Sequence, residues 1–257
     1  MGLIGMRIQI ICSTMYGKSP LFLQKNYSDG DYLVINQCKE RSHEVNGFFN
    51  CYETGLSKSR NKALTYSDSD ICIISDNDVF YSEDYIEIIS KAFERYPDAD
   101  AITFQIHTPE GEMYKKYSDS FFWHNKLSLA KVSSIEIAFR RKSVLEKNIK
   151  FDERFGLGSK FPTSEEYIFL SDCLSKGLKI AYVPKIIVFH PKESSGGDFS
   201  NDNLVKAKGA MIHRVFGDKG ILICLLFSIR KYKYSGKSFF NFCKTIFSGF
   251  FKHRKDI

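Results

Sequence analysis

The residues Ser75-Asp-Asn-Asp78 end an apolar run, residues 71–74, with two carboxylates one residue apart. If the strand continues through them, Asp76 and Asp78 point the same way and Asn77 the opposite. Two carboxylates on one face repel unless a positive charge lies beside them. A hard divalent cation, which takes oxygen ligands, is the natural partner. A calcium loop is excluded, because counting from Asp76 places its third ligand on Phe80 and its turn glycine on Tyr81. The competing possibility is a solvated turn that caps a helix beginning near Ser82.

Three other places carry chemistry-bearing side chains. Gly55-Leu-Ser-Lys-Ser-Arg-Asn61 opens a helix whose exposed N–H groups, with Lys58 and Arg60, suit a phosphate. The same residues also fit a plain charged helix face. Glu165-Glu166 follows a Gly-rich loop and starts another helix; the pair either complements the helix dipole or supplies a general base. His190 closes an apolar strand, as a metal or phosphate contact or as an ordinary hydrogen-bonded side chain. The Gly17-Lys-Ser-Pro20 stretch is no phosphate loop, since Cys12 stands where the first glycine of that motif belongs.

The elements that must position these groups alternate along the chain. Strand patterns fall at 7–12, 32–36, 71–74, 101–106, 134–141 and 179–190, the last bent at Pro184. Helical spacing falls at 55–66, capped by Thr54, and at 165–176, closed by Gly177. Between these lies a helix capped by Ser82, with Tyr85, Ile89, Ala92, Phe93 and Tyr96 on one face, ended by Pro97. Residues 107–133 form an irregular connection and 151–163 a Gly-rich loop. Residues 194–198 (SSGGD) read as a flexible loop. Such alternation predicts an α/β fold with a mostly parallel sheet flanked by helices. Ligands then gather at the carboxyl ends of the strands, where Asp76 and Asp78 fall.

At 257 residues the chain is long enough for one large α/β domain with an appendage. Seven scattered cysteines with no CxxC pair argue against a zinc ribbon and for a reducing compartment. The N-terminus has no signal-peptide pattern, and no apolar run reaches the roughly 20 residues of a spanning helix. Charge is unevenly placed. Residues 201–257 carry 12 Lys+Arg against 3 Asp+Glu, whereas the first 200 carry 25 against 27. A basic tail on a slightly acidic body points to an anionic partner for the tail.

Taken in order, GLSKSRN, SDNDVFY, FDERFGLGSKFPTSEEYIFLSDCLSKGLKIAYVP and VFH resemble a family 2 glycosyltransferase of the GT-A fold, across residues 7–190. The closest flavour is bacterial synthesis of capsule, O-antigen or exopolysaccharide. The resemblance implies a GT-A (Rossmann-like) domain over 1–200 and a basic, aromatic helical extension over 201–257. It further implies a nucleoside diphosphate sugar donor, a UDP-sugar first among them, held through Mn²⁺ or Mg²⁺. By the same resemblance Asp78 ligates the metal, and Asp76 contacts the ribose or the metal shell. His190 lies near metal and diphosphate, Arg60 and Lys58 approach the donor, and Glu166, or its neighbour Glu165, is the catalytic base. Asn36-Gln37 stands where the family carries an acidic residue that reads the nucleotide base. Asn36 is therefore a donor-binding candidate.

On a helix, Lys237, Asn241, Lys244, Ser248 and Lys252 form a polar stripe, with Phe239, Phe240, Phe242, Ile246, Phe247, Phe250 and Phe251 around it. That suits an anionic membrane surface, with packing on the protein's own body as the alternative. A glycan or lipid-linked acceptor and a cytoplasmic, peripheral place on the inner face of the cell membrane go with it. Nucleic acid is not expected, since no recognition motif accompanies the tail. Two rival functions are a sugar-phosphate nucleotidyltransferase and a non-catalytic, membrane-bound nucleotide-sugar binder. Against the first stands the lone glycine after the first strand.

Overall fold

The computed structural model describes residues 5–15, 31–39, 47–192 and 197–256. The 17–20 loop, and residues 194–196 of the expected flexible loop, lie outside these. The described residues form two compact units. One draws on Met1–Thr54, Lys58–Lys150 and Cys173–Lys192, the other on Gly55–Ser57, Phe151–Asp172 and Glu193–Ile257.

The first unit holds a nine-stranded sheet. Its strands are β1 (Ile8–Met15), β2 (Asp31–Gln37), β3 (Phe48–Cys51), β4 (Ile71–Asp76), β5 (Phe80–Tyr81), β6 (Ala101–His107), β7 (Phe122–Trp123), β8 (Ile137–Arg140) and β9 (Ile180–Phe189). They lie in the order β3-β2-β1-β4-β8-β6-β9-β5, with β7 on β9. β1, β2, β3, β4, β6 and β9 share a direction, while β5, β7 and β8 oppose it. The apolar runs of β1 and β4 are buried along most of their length, as strands covered on both faces require. Pro184 falls in β9 where the pairing with β6 is irregular, between Thr103↔Tyr182 and Gln105↔Ile186. Proline lacks the N–H that a regular ladder needs.

Helices α1 (Leu56–Tyr66) and α2 (Tyr85–Arg95) follow β3 and β5. Tyr85, Ile89, Ala92 and Phe93 of α2 are buried, as their spacing predicts. Ser82 is not the cap of α2. Its amide donates to the Ile187 carbonyl of β9 (3.0 Å), which keeps it in line with β5, and Asp84 takes the cap position. The irregular segment after β6 contains β7 and a short helix, α3 (Lys126–Leu129), capped by the Asn125 side chain. The strand expected over 134–141 is shorter. Ser134–Glu136 is a 3₁₀ turn, because the Glu136 carboxylate folds back onto the Ser133 amide (3.1 Å), and only Ile137–Arg140 is extended. Arg141–Glu146 then forms α4.

The second unit contains the 151–163 loop and the start of α5 (Glu165–Ser175). It also contains α6 (Asp202–Phe216), α7 (Gly220–Lys231) and α8 (Phe239–Lys255). The expected boundary near residue 200 thus misses that 151–172 packs with the C-terminal helices. Phe155, Phe161 and Ile168 share one core cluster with Ala207 and Ala210. A second cluster joins Val205, Ile212, Cys224, Phe242, Ile246 and Phe250. α6 and α8 meet at glycines: a Cβ on Gly249 would lie 1.9 Å from the Lys206 carbonyl oxygen, and one on Gly209 1.9 Å from that of Ile246. This close approach sets the aromatic face of α8 inward. Phe242, Ile246 and Phe250, read above as lipid-facing, are buried core, whereas Phe240 and Phe251 remain exposed.

Candidate active site

β4 delivers Asp76 as its last residue, and the chain then turns. The alternation expected through Asn77 and Asp78 therefore stops, and the three side chains part company. Asp76 takes a hydrogen bond from the Arg60 guanidinium, Nη2 to Oδ1 at 3.3 Å, and its other oxygen lies 3.5 Å from Ser134 Oγ. Asn77 donates to Thr14 Oγ1 at the end of β1 (3.0 Å). Asp78, 66% exposed, has its Oδ1 3.6 Å from His190 Nε2. The two acids thus do not form one bidentate face; the turn assigns them different neighbours.

His190 has a defined tautomer. Its Nδ1 lies 2.5 Å from the Pro191 carbonyl oxygen, which can only accept, so Nδ1 carries the proton. Nε2 faces the Asp78 carboxylate at 3.6 Å, as an N–H donor in the charged ring and as a lone pair in the neutral one. In the neutral ring the two groups can share a cation. Tyr114 meets the His190 ring edge-on (5.8 Å). Among the described residues no set of three or more His, Cys, Asp or Glu side chains gathers to hold a metal. A cation on Asp78 and His190 would depend on ligand oxygens and water for its remaining positions, as phosphate-bound Mg²⁺ does.

Arg60 does not reach outward. It is 1% exposed, among the largest fully buried side chains, and its charge is turned to Asp76. Its neighbour Ser59 donates to Ser13 Oγ of β1 (2.7 Å), which ties α1 to the strand end. Lys58 is half-exposed and has no side-chain partner among the described residues, so it is the outward cation of this helix start. Asn36 is wholly buried at the end of β2, and its amide donates to Asn50 of β3 (2.9 Å). As placed, the amide expected to read a base serves the sheet edge, and Asn50 is the less buried partner.

In the second unit, the 151–163 loop closes on itself through Gly156 N to the Phe161 carbonyl and Phe161 N to the Arg154 carbonyl (both 2.9 Å). Gly156 has φ +100°, a conformation open to glycine, and a Cβ there would press on the Glu165 carboxyl carbon at 3.3 Å. Ser164, with φ +77°, turns the chain into α5, and its hydroxyl accepts from Lys208 (3.1 Å). Glu165 is buried by this arrangement, and Glu166 is the more exposed of the two. The loop is fastened by Asp152, which takes hydrogen bonds from Arg154 and Arg214. Burial works against its charge, yet the two guanidiniums hold the carboxyl down at about 2.

Sequence reasoning missed several groups. Ser134 reaches Asp76 because β8 runs back beside β4, a pairing that no local pattern announces. Lys115 and Tyr117 gather on the buried Glu136: Lys115 Nζ and Tyr117 Oη lie 2.9 and 2.7 Å from its carboxylate. They line a cavity of about 270 Å³ with Phe122, His124 and Tyr182.

An α/β sheet of this order, with an acidic turn at the carboxyl end of β4, is the GT-A kind of glycosyltransferase fold. The model of glycosyl transferase family 2 matches residues 22–158, more than half of the chain, and the chain belongs to that family. It is a glycosyltransferase. In structure it is similar to S. aureus TarS 1-349, with TM-score 0.59 and 12% identity over 90% of this chain and 73% of that one. Against the same protein in complex with UDP-GlcNAc the values are 0.60, 13%, 90% and 74%. The chain spans 44% of a longer TarS structure. A mycobacterial protein matches with TM-score 0.53 and 14% identity, over 82% of this chain and 75% of that one. At these identities the likeness is one of fold. No curated protein matches the chain in sequence.

Proposed function

We propose that the protein moves a sugar from a nucleoside diphosphate sugar to an acceptor hydroxyl in one inverting displacement, with a divalent cation at Asp78. The observation that carries this is His190 Nε2 facing Asp78 Oδ1 at 3.6 Å, at the end of a GT-A sheet. Mn²⁺ or Mg²⁺ bound there would offset the charge that develops on the leaving diphosphate. Asp76, held by Arg60 and beside Ser134, is left to meet the sugar-nucleotide rather than to share the ion. Lys58, as the outward cation, adds to the attraction for phosphate. Glu166 takes the acceptor hydroxyl's proton as that oxygen attacks the anomeric carbon, and the buried Glu165 fixes the helix start that carries it.

A UDP-sugar is the first donor to test, because TarS, similar in fold, has been solved with UDP and with UDP-GlcNAc. The acceptor is a glycan or lipid-linked glycan of bacterial polysaccharide synthesis, reached at the inner face of the cell membrane; the basic C-terminal residues support that placement. The test is release of nucleoside diphosphate from a panel of nucleotide-sugars, with and without Mn²⁺. Metal-dependent release from one donor is expected. Donor binding without release, acceptor present, would instead make the protein a binder.

A further inference from the structure

α7 is turned inside out relative to an ordinary surface helix. Its inward face carries Gly220, Cys224 and Ser228, all buried. Its outward face carries Ile221, Leu222, Leu225, Leu226 and Ile229, all exposed, with Leu222 at 68%. Three small residues, flanked by the half-buried Ile223 and Phe227, fill the core contact, while five large aliphatics, spaced i, i+1, i+4, i+5 and i+8, face away from the protein. Surface helices bury such a stripe, and a contiguous exposed one marks a contact surface. The small inward residues allow the close packing: Gly220 faces Ile212 of α6 and Phe250 of α8.

The charge around the stripe says what covers it. Between Lys219 and Lys255 the chain has nine Lys+Arg and no Asp or Glu, and of these Lys237 and Arg254 pair with Asp202 and Asp218. Lys219 lies just before the stripe, Arg230 and Lys231 at its end, and Lys233 just beyond, with Tyr234 exposed beside them. A second copy of the chain would bring the same cations face to face, which disfavours a dimer through this helix. An anionic surface has the complementary charge. α7 is 12 residues long, about 18 Å at 1.5 Å per residue and well short of a bilayer's apolar thickness. No helix among the described residues is long and apolar enough to cross a membrane.

We infer that α7 lies flat in the interface of an anionic lipid bilayer, its Ile/Leu stripe among the acyl chains and its flanking cations at the headgroups. The contact surface is the aliphatic helix, not the Phe-rich one that follows it. The inference is independent of the donor, the metal and the base.

The full chain would be tested by co-flotation with vesicles of phosphatidylcholine alone and with 30% phosphatidylglycerol. The variants are Leu222→Ser/Leu226→Ser and, as a control, Phe251→Ser on α8. Both alter exposed side chains, and circular dichroism would verify folding. The inference expects binding to anionic vesicles that weakens at least tenfold in the double variant and with raised salt, while Phe251→Ser stays within about threefold of the parent. Equal binding by the double variant, no binding by the parent, or a dimer that dissociates in the double variant while flotation is unchanged would each overturn it. Catalytic turnover on a soluble acceptor is a separate readout, so failure here leaves the proposed reaction untouched, and the reverse.

Discussion

Arg60 and Asp76 are a pair in which a buried cation fixes a half-exposed anion: the arginine is 1% exposed, the aspartate 38%, and Nη2 lies 3.3 Å from Oδ1. A charge-assisted hydrogen bond of this kind orients the carboxylate as well as holding it. Arg60→Met keeps most of the buried volume and removes the charge. It is expected to cost about 2–4 kcal/mol of stability, from lost packing and a freed Asp76. Donor affinity should fall along with it. Urea denaturation beside calorimetric titration of donor measures both; an unchanged donor affinity would remove Arg60 from the site.

Asp78→Ala takes away the carboxylate that faces His190. Metal-dependent donor binding should disappear, while stability stays within about 0.5 kcal/mol, since Asp78 is exposed. Titration calorimetry with Mn²⁺ decides it, and unchanged affinity would mean that the ion, if used, sits elsewhere.

For Glu166→Gln, donor binding should be retained and transfer lost by about 10²–10⁴-fold, the usual worth of a general base. Near-normal turnover would pass the role to Glu165 or to another group. Glu165→Gln, by contrast, is expected to act chiefly on stability, because that side chain packs beneath Gly156.

Gly249→Ala sets a methyl group 1.9 Å from a carbonyl oxygen of the facing helix. The clash is with backbone and has no side chain to push aside. A loss of about 3 kcal/mol or more is expected, at the upper end for overpacking. Thermal unfolding of the variant checks it, with Ser248→Ala, exposed on the same helix, as the neutral comparison.

His213 and His253 meet through their Nδ1 atoms at 2.8 Å, so one ring donates and the other accepts. Burial first, then Arg154 and His213, holds His253 down at about 4, and burial lowers His213 against the pull of Asp218. An unfolded histidine titrates near 6.5. Between pH 6.5 and 4 the unfolded chain therefore binds protons that the folded chain refuses. Stability is complete above this window and declines as pH falls through it. His253 alone contributes on the order of 3 kcal/mol to that decline. Denaturation of the parent and of His253→Gln from pH 7 to 4 tests this; the variant should show a shallower slope.

Much of the first unit was legible because its longer strands are short apolar runs and the helices after β3 and β5 carry their own period. Pro184 and Gly177 marked a bend and a stop through backbone chemistry that no neighbour can override. Illegible was whatever depends on a distant partner. The 134–141 pattern alternates like one strand, yet Glu136 is drawn out of it by Lys115 and Tyr117, both about twenty residues away in sequence. Arg60 had a signal that went unused: Arg60, Ala63 and Leu64 share one buried face at helical spacing. The Phe-rich helix misled because periodicity reveals an apolar face without saying what covers it. Here α6 covers it, by way of Gly209 and Gly249, which lie on different helices. The tail's charge was read correctly from composition, and its placement beside α7 required coordinates.

The second unit is assembled from three separated stretches of chain, and that fixes an order of events during synthesis. Residues 55–57 and 151–172 are made before α6, and Phe155, Phe161 and Ile168 have Ala207 and Ala210 as their buried partners. Until the helices near the C-terminus are made, those three side chains are an uncovered sticky patch on the nascent chain. The first unit's sheet is complete in sequence once β9 has been made. The sheet of the first unit is thus made before the helices that pack on the 155–168 stretch, which carries Glu165 and Glu166.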